Sequence, residues 1–159
     1  VMAPRGGDAG VGGLDTPVGP VRVAVADGAV TGVGWGEAAG QGSDPVLDLA
    51  LAELRAYFDG TLTAFTVPLR PPVSGLTARV LAEMQAIPYG ETRTYGDLAR
   101  ALDVPAQALG QACGANPIPI LIPFHRVLGA TGLGGYSGAG GIETKVALLR
   151  LEGAGGLLI

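Results

Sequence analysis

Asn116-Pro117-Ile118-Pro119-Ile120-Leu121-Ile122-Pro123-Phe124-His125-Arg126-Val127 is the stretch on which the reading of the whole chain depends. Three prolines frame an apolar run, and the only histidine of the chain follows directly. Prolines at this density fix φ, remove backbone donors and exclude a helix. The stretch is therefore expected to be rigid and extended. Its apolar residues are expected to be buried, which would hold the His125-Arg126 pair deep in the fold.

Working outward, the 159 residues fit one domain or two small ones packed together. A hydrophobic content of 48% is ample for a core, and only 15% of residues are charged. Residues 1–15 are rich in glycine and are expected to be a disordered or loose N-terminus. No apolar run reaches the length of a membrane span, and no secretory signal pattern is present. A cytoplasmic protein that makes no use of a membrane is expected. The single cysteine, Cys113, excludes an internal disulfide, and with one histidine a protein-only metal site is not expected. No cofactor is expected either.

The formal net charge is −4. Residues 1–70 carry four Arg and Lys against eight Asp and Glu, and residues 71–159 carry six against six. The second half is the better nucleic-acid candidate, yet it is no more than neutral. This argues against tight binding driven by charge alone.

Val21, Val23 and Val25 alternate with Arg22 and Ala24, which predicts a half-buried strand. Asp27-Gly28 is a hairpin turn signal. On the return strand Val30, Gly32 and Gly34 are expected on one face, Val33 and Trp35 on the other. Asp44-Pro45 marks a helix start, with Asp44 as N-cap, and Leu47, Leu51, Leu54 and Phe58 supply its apolar face. Phe65 to Leu69 reads as a strand, and Arg70-Pro71-Pro72 as a linker. The domain boundary is placed there, giving an N-terminal domain over 16–70 and a C-terminal one over 71–159. In the second, Ser74 caps a helix that Pro88-Tyr89-Gly90 stops. Short helices are expected from Thr94 or Tyr95 to Leu102 and from Pro105 to Cys113. Joined by Asp103-Val104, they have the form of a helix-turn-helix. A last helix is expected from about Glu143 to Glu152.

Asn-Pro-x-Pro-Ile-x-Ile-Pro-x-His-Arg-Val at 116–127 resembles the active-site signature of the O6-alkylguanine-DNA alkyltransferases. Gly90 to Ala99 resembles that family's entry into its helix-turn-helix. Tyr136-Ser137-Gly138 resembles its binding loop, and Lys145 to Gly153 its closing helix. The resemblance covers nearly all of 16–155, most specifically 74–153. It implies an α+β fold: a small ribonuclease H-like N-terminal domain and a mostly helical C-terminal domain of winged helix-turn-helix type. The implied partner is double-stranded DNA containing O6-alkylguanine, bound by a monomer that flips the damaged nucleotide out of the helix.

The family moves the alkyl group onto a cysteine of its own, and the position of that cysteine is Phe124 here. The resemblance implies a relay of Glu152, a water, His125 and the cysteine, in which the histidine acts as base on the thiol. Phe124 has no lone pair with which to attack, so alkyl transfer at that position is lost. Further roles implied are Asn116 bracing the turn, and Tyr95, Tyr136, Ser137 and the backbone of Val127 lining the guanine pocket. Arg93, Arg100 and Arg126 are candidate DNA contacts. The arginine that the family inserts into the duplex falls, nine residues before Asn116, on Gln107, which lacks the charge and the stacking plane.

Each of these residues also has a plain reading. His125 fits a hydrogen-bonded core histidine as well as a retained family residue. Glu152 fits a surface carboxylate at a helix end, and Cys113 fits either a small core residue or a substitute thiol. Three functions are consistent with the chain. One is a lesion-binding protein without alkyl transfer, signalling to a repair partner of unknown identity. The second is an active-site variant of a methylated-DNA–protein-cysteine methyltransferase. The third is a diverged winged-helix binding protein without lesion specificity.

Overall fold

In the computed structural model, residues 10–130 and 141–154 are described. The chain divides into two compact units, Val1–Pro72 and Val73–Ile159.

In the first unit, β1 (Gly10–Thr16), β2 (Gly19–Ala26) and β3 (Ala29–Trp35) form an antiparallel sheet in the order β1-β2-β3. Residues 10–15, expected to be loose, are instead strand. Their main chain pairs from Gly10↔Val25 to Thr16↔Gly19, and a ladder of backbone bonds does not require large side chains. Val21, Val23 and Val25 point to the covered face. The alternation expected for β3 fails because the register shifts at Ala24/Val25, pairing Val25 with Val30 and Val23 with Val33. The extra residue places Val30 and Val33 on the same buried face.

Helix α1 (Pro45–Phe58) packs on this sheet. Asp44 caps it by accepting from the N–H groups of Val46 and Leu47 at 2.7 and 3.2 Å. Leu47, Leu51 and Leu54 are buried as expected, but Tyr57 rather than Phe58 completes the stripe. Tyr57 lies between Phe58 and Phe65, with ring centres 5.2 and 5.3 Å away. The strand expected at Phe65–Leu69 shrinks to one bridge, Val30↔Leu69. The Glu53 carboxylate takes the N–H groups of Thr66 and Val67, so those donors are not available to a ladder.

The second unit holds α2 (Gly75–Gln85), β4 (Arg93–Thr94), α3 (Tyr95–Leu102), α4 (Ala106–Gly114), β5 (Val127–Leu128) and α5 (Ile142–Leu151). Ser74 stands at the N-cap of α2 without a side-chain capping bond. Thr94 and Asp97 form a reciprocal capping box on α3: Asp97 N–H donates to Thr94 Oγ1 at 3.0 Å, and Thr94 N–H to Asp97 Oδ2 at 2.9 Å. Helices α2, α3 and α4 pack on one another through Val80, Leu81, Met84, Leu98, Leu109 and Ala112. Strands β4 and β5 pair in parallel, Arg93 with Val127 and Thr94 with Leu128. Ile118, Ile120, Leu121, Ile122, Phe124 and Val127 are buried as expected, but the stretch 116–127 is not extended. Ile122 N–H donates to the Ile118 carbonyl at 2.9 Å, Ile120 takes φ 74°, and Phe124–Arg126 form a 3-10 turn. Proline excludes the helix, yet it allows such turns.

Among the described residues no helix is long and apolar enough to cross a membrane. No cluster of three or more His, Cys, Asp or Glu residues among them is disposed to hold a metal ion.

Candidate functional site

The site is built by the turns of 116–127 together with the start of α3 and the face of α5. Asn116 closes the loop: its Oδ1 accepts from Ile118 N–H at 2.9 Å and its Nδ2 donates to the Ile122 carbonyl at 3.0 Å. The 3-10 turn then carries three consecutive buried side chains, Phe124, His125 and Arg126.

His125 is fully buried, and its Nε2 lies 2.7 Å from Glu152 Oε2. Glu152 stands at the end of α5, just before Gly153 at φ 64°, but its carboxylate faces inward. The reading of Glu152 as a surface carboxylate is therefore corrected. Arg126 grips the same carboxylate from Nε at 2.8 Å and from Nη2 at 2.9 Å, and its Nη1 donates to the Ile87 carbonyl at 2.6 Å. Gly90 N–H adds a fourth donor at 3.2 Å. Tyr89 lies beneath the guanidinium, 5.8 Å from its ring centre. Arg126 was expected as a DNA contact. The structure overturns this: the guanidinium is spent inside the unit, where a paired buried cation is far cheaper than a lone one.

The protonation of His125 follows from this geometry. Burial pulls the imidazole below its ordinary pKa, against the opposing pull of Glu152. With Arg126 holding both carboxylate oxygens, Glu152 can only accept, so neutral His125 donates from Nε2. Nδ1 is then left as an unprotonated acceptor, buried and with no hydrogen-bond partner in the structure. The arrangement is that of an imidazole oriented by a carboxylate.

The ring of Phe124, 6% exposed, lies edge-on to Tyr95 with centres 6.5 Å apart. Tyr95 is the first residue of α3 and half-buried, and burial pushes its hydroxyl up to about 12. Over the Phe124 ring, 5.6 Å from its centre, sits Nζ of Lys145, a fully buried residue of α5. The Lys145 ammonium donates to the Val127 carbonyl, one of the backbone acceptors expected to face guanine. Burial lowers Lys145 to about 8 and raises the buried Cys113 thiol to about 11. A thiol held protonated in this way is a poor nucleophile at neutral pH.

Lys145 went unrecognised as a site residue in the sequence. A signal existed: 145, 148, 149 and 152 share one helical face, so a lysine stands on the stripe of buried Leu148, Leu149 and Glu152. The side chains of Gln107, Arg93 and Arg100 share no hydrogen bond or ion pair with this buried cluster. Gln107 is exposed on the first turn of α4. Arg93 pairs with Glu91 at 3.3 Å and exposed Arg100 with Asp97 at 2.7 Å. Tyr136 and Ser137 lie outside the described residues.

Residues 75–154 match the family model of the 6-O-methylguanine DNA methyltransferase DNA binding domain. A methylated-DNA–protein-cysteine methyltransferase of Mycobacterium tuberculosis is 42% identical over 149 residues, covering 87% of this chain and 89% of its own. The chain belongs to the 6-O-methylguanine-DNA methyltransferase family. A second methyltransferase of this family, from Archaeoglobus fulgidus, is 45% identical over 105 residues, 64% of this chain and 71% of its own. The crystal structure of M. tuberculosis OGT in complex with DNA superposes with a TM-score of 0.80 at 40% identity, covering 91% and 92% of the two chains. The methyltransferase fold, mixed α and β, is thus present here with Phe124, His125 and Arg126 in the turn that follows Pro123.

Proposed function

We propose that this member of the methyltransferase family recognises O6-alkylguanine in duplex DNA and does not transfer the alkyl group. The observation that carries the reading is the buried Phe124 ring in a site that otherwise keeps its base. The oriented His125–Glu152 pair stands beside a residue that cannot be alkylated. On this reading α3 and α4 are the helix-turn-helix of a winged domain, the unit before Pro72 is ribonuclease H-like, and residues 16–70 and 71–159 act as the two domains. A monomer flips the lesion towards Phe124, where Tyr95, Tyr136 and Ser137 receive it. Gln107 fills the gap in the duplex, and Arg93 and Arg100 touch phosphates. The DNA complex of the M. tuberculosis relative supports the DNA-binding half of the proposal.

Binding to duplexes with and without O6-methylguanine tests it. Tighter binding to the damaged duplex is expected, and equal affinity would sink the proposal. Intact mass after incubation with the damaged duplex is expected to stay unchanged. The Phe124→Cys protein is expected to gain the mass of the alkyl group, because it supplies the missing thiol next in sequence to a histidine held by Glu152. An adduct on Cys113 of the unaltered protein would overturn the claim that transfer is lost.

A second reading, a diverged binding protein without lesion preference, is favoured by one observation. Of the six cations in Val73–Ile159, Arg126 and Lys145 point inward. The surface of that unit is thereby less positive than its composition.

A further inference from the structure

Helix α4 has a surface that the proposed function uses only in part. Leu109, Ala112 and Cys113 turn inward, while Ala106, Gln107, Gln111 and Gly114 are exposed. From Val104 to Phe124 the chain holds no Asp, Glu, Lys or Arg, so this face offers a partner no charge. What it offers is two primary amides. Gln107 and Gln111 stand four residues apart, hence on one side of the helix and about 6 Å apart along its axis. A methyl group at Gly110 or Gly114 would meet no other side chain or segment of the described residues within 4 Å, so nothing among them overhangs the ground beside Gln111.

We infer that Gln111 reads the sequence beside the lesion, its amide bonding a base edge about two steps from the gap that Gln107 fills. The inference rests on the reading above, in which α4 faces the duplex. About 6 Å of helix rise matches about two base steps of roughly 3.4 Å. An amide carries a donor and an acceptor side by side. A phosphate has only acceptors and would use half of it. A G·C edge presents donors and acceptors in either groove, and an A·T edge presents both in the major groove alone. Such differences are what an amide can turn into a preference. A neutral face also gains little from the phosphate charge that draws arginine and lysine to the backbone. Gln107 is committed to the gap on this reading, which leaves Gln111 as the amide of α4 that discriminates between base pairs.

The test measures binding to O6-methylguanine duplexes and to their undamaged counterparts. Each of the possible base pairs is placed in turn at every position within three steps of the modified guanine. The unaltered protein is expected to favour one pair about fivefold or more at a position about two steps away. Gln111→Ala is expected to remove that preference and to leave the dependence on salt as it was, since no charge is lost. Alanine is a good helix former at an exposed position, so the variant is expected to melt no earlier than the unaltered protein. Gln85→Ala, which truncates an exposed glutamine at the end of α2, is expected to change neither affinity nor preference. An equal loss of affinity on every duplex in Gln111→Ala would assign the amide to a phosphate and overturn the inference. Unchanged binding in that variant would overturn it too. In both cases a retained preference for damaged duplexes would leave the reading of function standing. Equal affinity for damaged and undamaged duplexes would remove that reading, and this inference with it.

Discussion

His125 and Arg126 show how one buried carboxylate can set the state of two neighbours. Glu152 takes four donors, from His125, from two nitrogens of Arg126 and from Gly90. Removing Arg126 would leave that charge buried without its principal partner, so Arg126→Ala is expected to cost about 3–5 kcal/mol in urea unfolding. A loss well below 1 kcal/mol would mean that the carboxylate reaches water. The pH dependence follows from His125. Its folded pKa lies below the unfolded value of 6.5, so the unfolded chain takes up the proton first. The stability from neutral His125 is therefore whole above about pH 6.5 and is lost as pH falls below it. Thermal melts are expected to drop across that window in the unaltered protein and to drop less in His125→Gln. Parallel profiles for the two would assign the acid sensitivity to other groups.

At the scale of single elements, α3 depends on its first residue being held. The capping box of Thr94 and Asp97 fixes the entry, and Tyr95 follows immediately to meet Phe124. Thr94→Ala removes one of the two reciprocal bonds and is expected to cost about 1 kcal/mol by chemical denaturation. An unchanged midpoint would show that tertiary packing alone holds the helix. The sequence announced such local devices well. Asp44 before Pro45 and Asp27-Gly28 each carry a mechanism that acts within a few residues, whereas Ser74, also expected as a cap, makes no capping bond. It was less legible where the deciding partner is remote. Thr66 and Val67 look like strand residues until Glu53, thirteen residues earlier, takes their donors. The prolines of 116–127 exclude a helix, but the choice between extended chain and turns is made by Asn116 bonding across the loop. Phe124, His125 and Asn116 were readable because the signature is contiguous. Arg126 and Lys145 were misread or missed because a charged side chain turns inward only when a distant acceptor meets it. For these two, the acceptors are Glu152 with the Ile87 carbonyl and the Val127 carbonyl.

For the molecule as a whole, the inward-facing charges change what the net charge says about DNA. Val73–Ile159 holds six cations and six acids. Burial of Arg126, Lys145 and Glu152 leaves Arg79, Arg93, Arg100 and Arg150 against Glu83, Glu91, Asp97, Asp103 and Glu143. Of those four arginines, Arg93 and Arg100 already pair with acids. Few phosphates can then be neutralised, and affinity for plain duplex should depend weakly on salt. With about two phosphate contacts, the slope of log affinity against log salt is expected near −2 rather than the steep values of strongly basic binders. On the proposed function, lesion recognition then rests on the buried site and on Gln107 rather than on surface charge. Gln107→Arg is expected to raise affinity for plain and damaged duplexes alike, since it adds a charge and a stacking plane at the exposed start of α4. Fluorescence anisotropy over a salt series, on the unaltered and Gln107→Arg proteins, measures both quantities. A steep slope in the unaltered protein would show that exposed arginines dominate. In that case the weak charge of this surface would no longer argue that the buried site carries recognition.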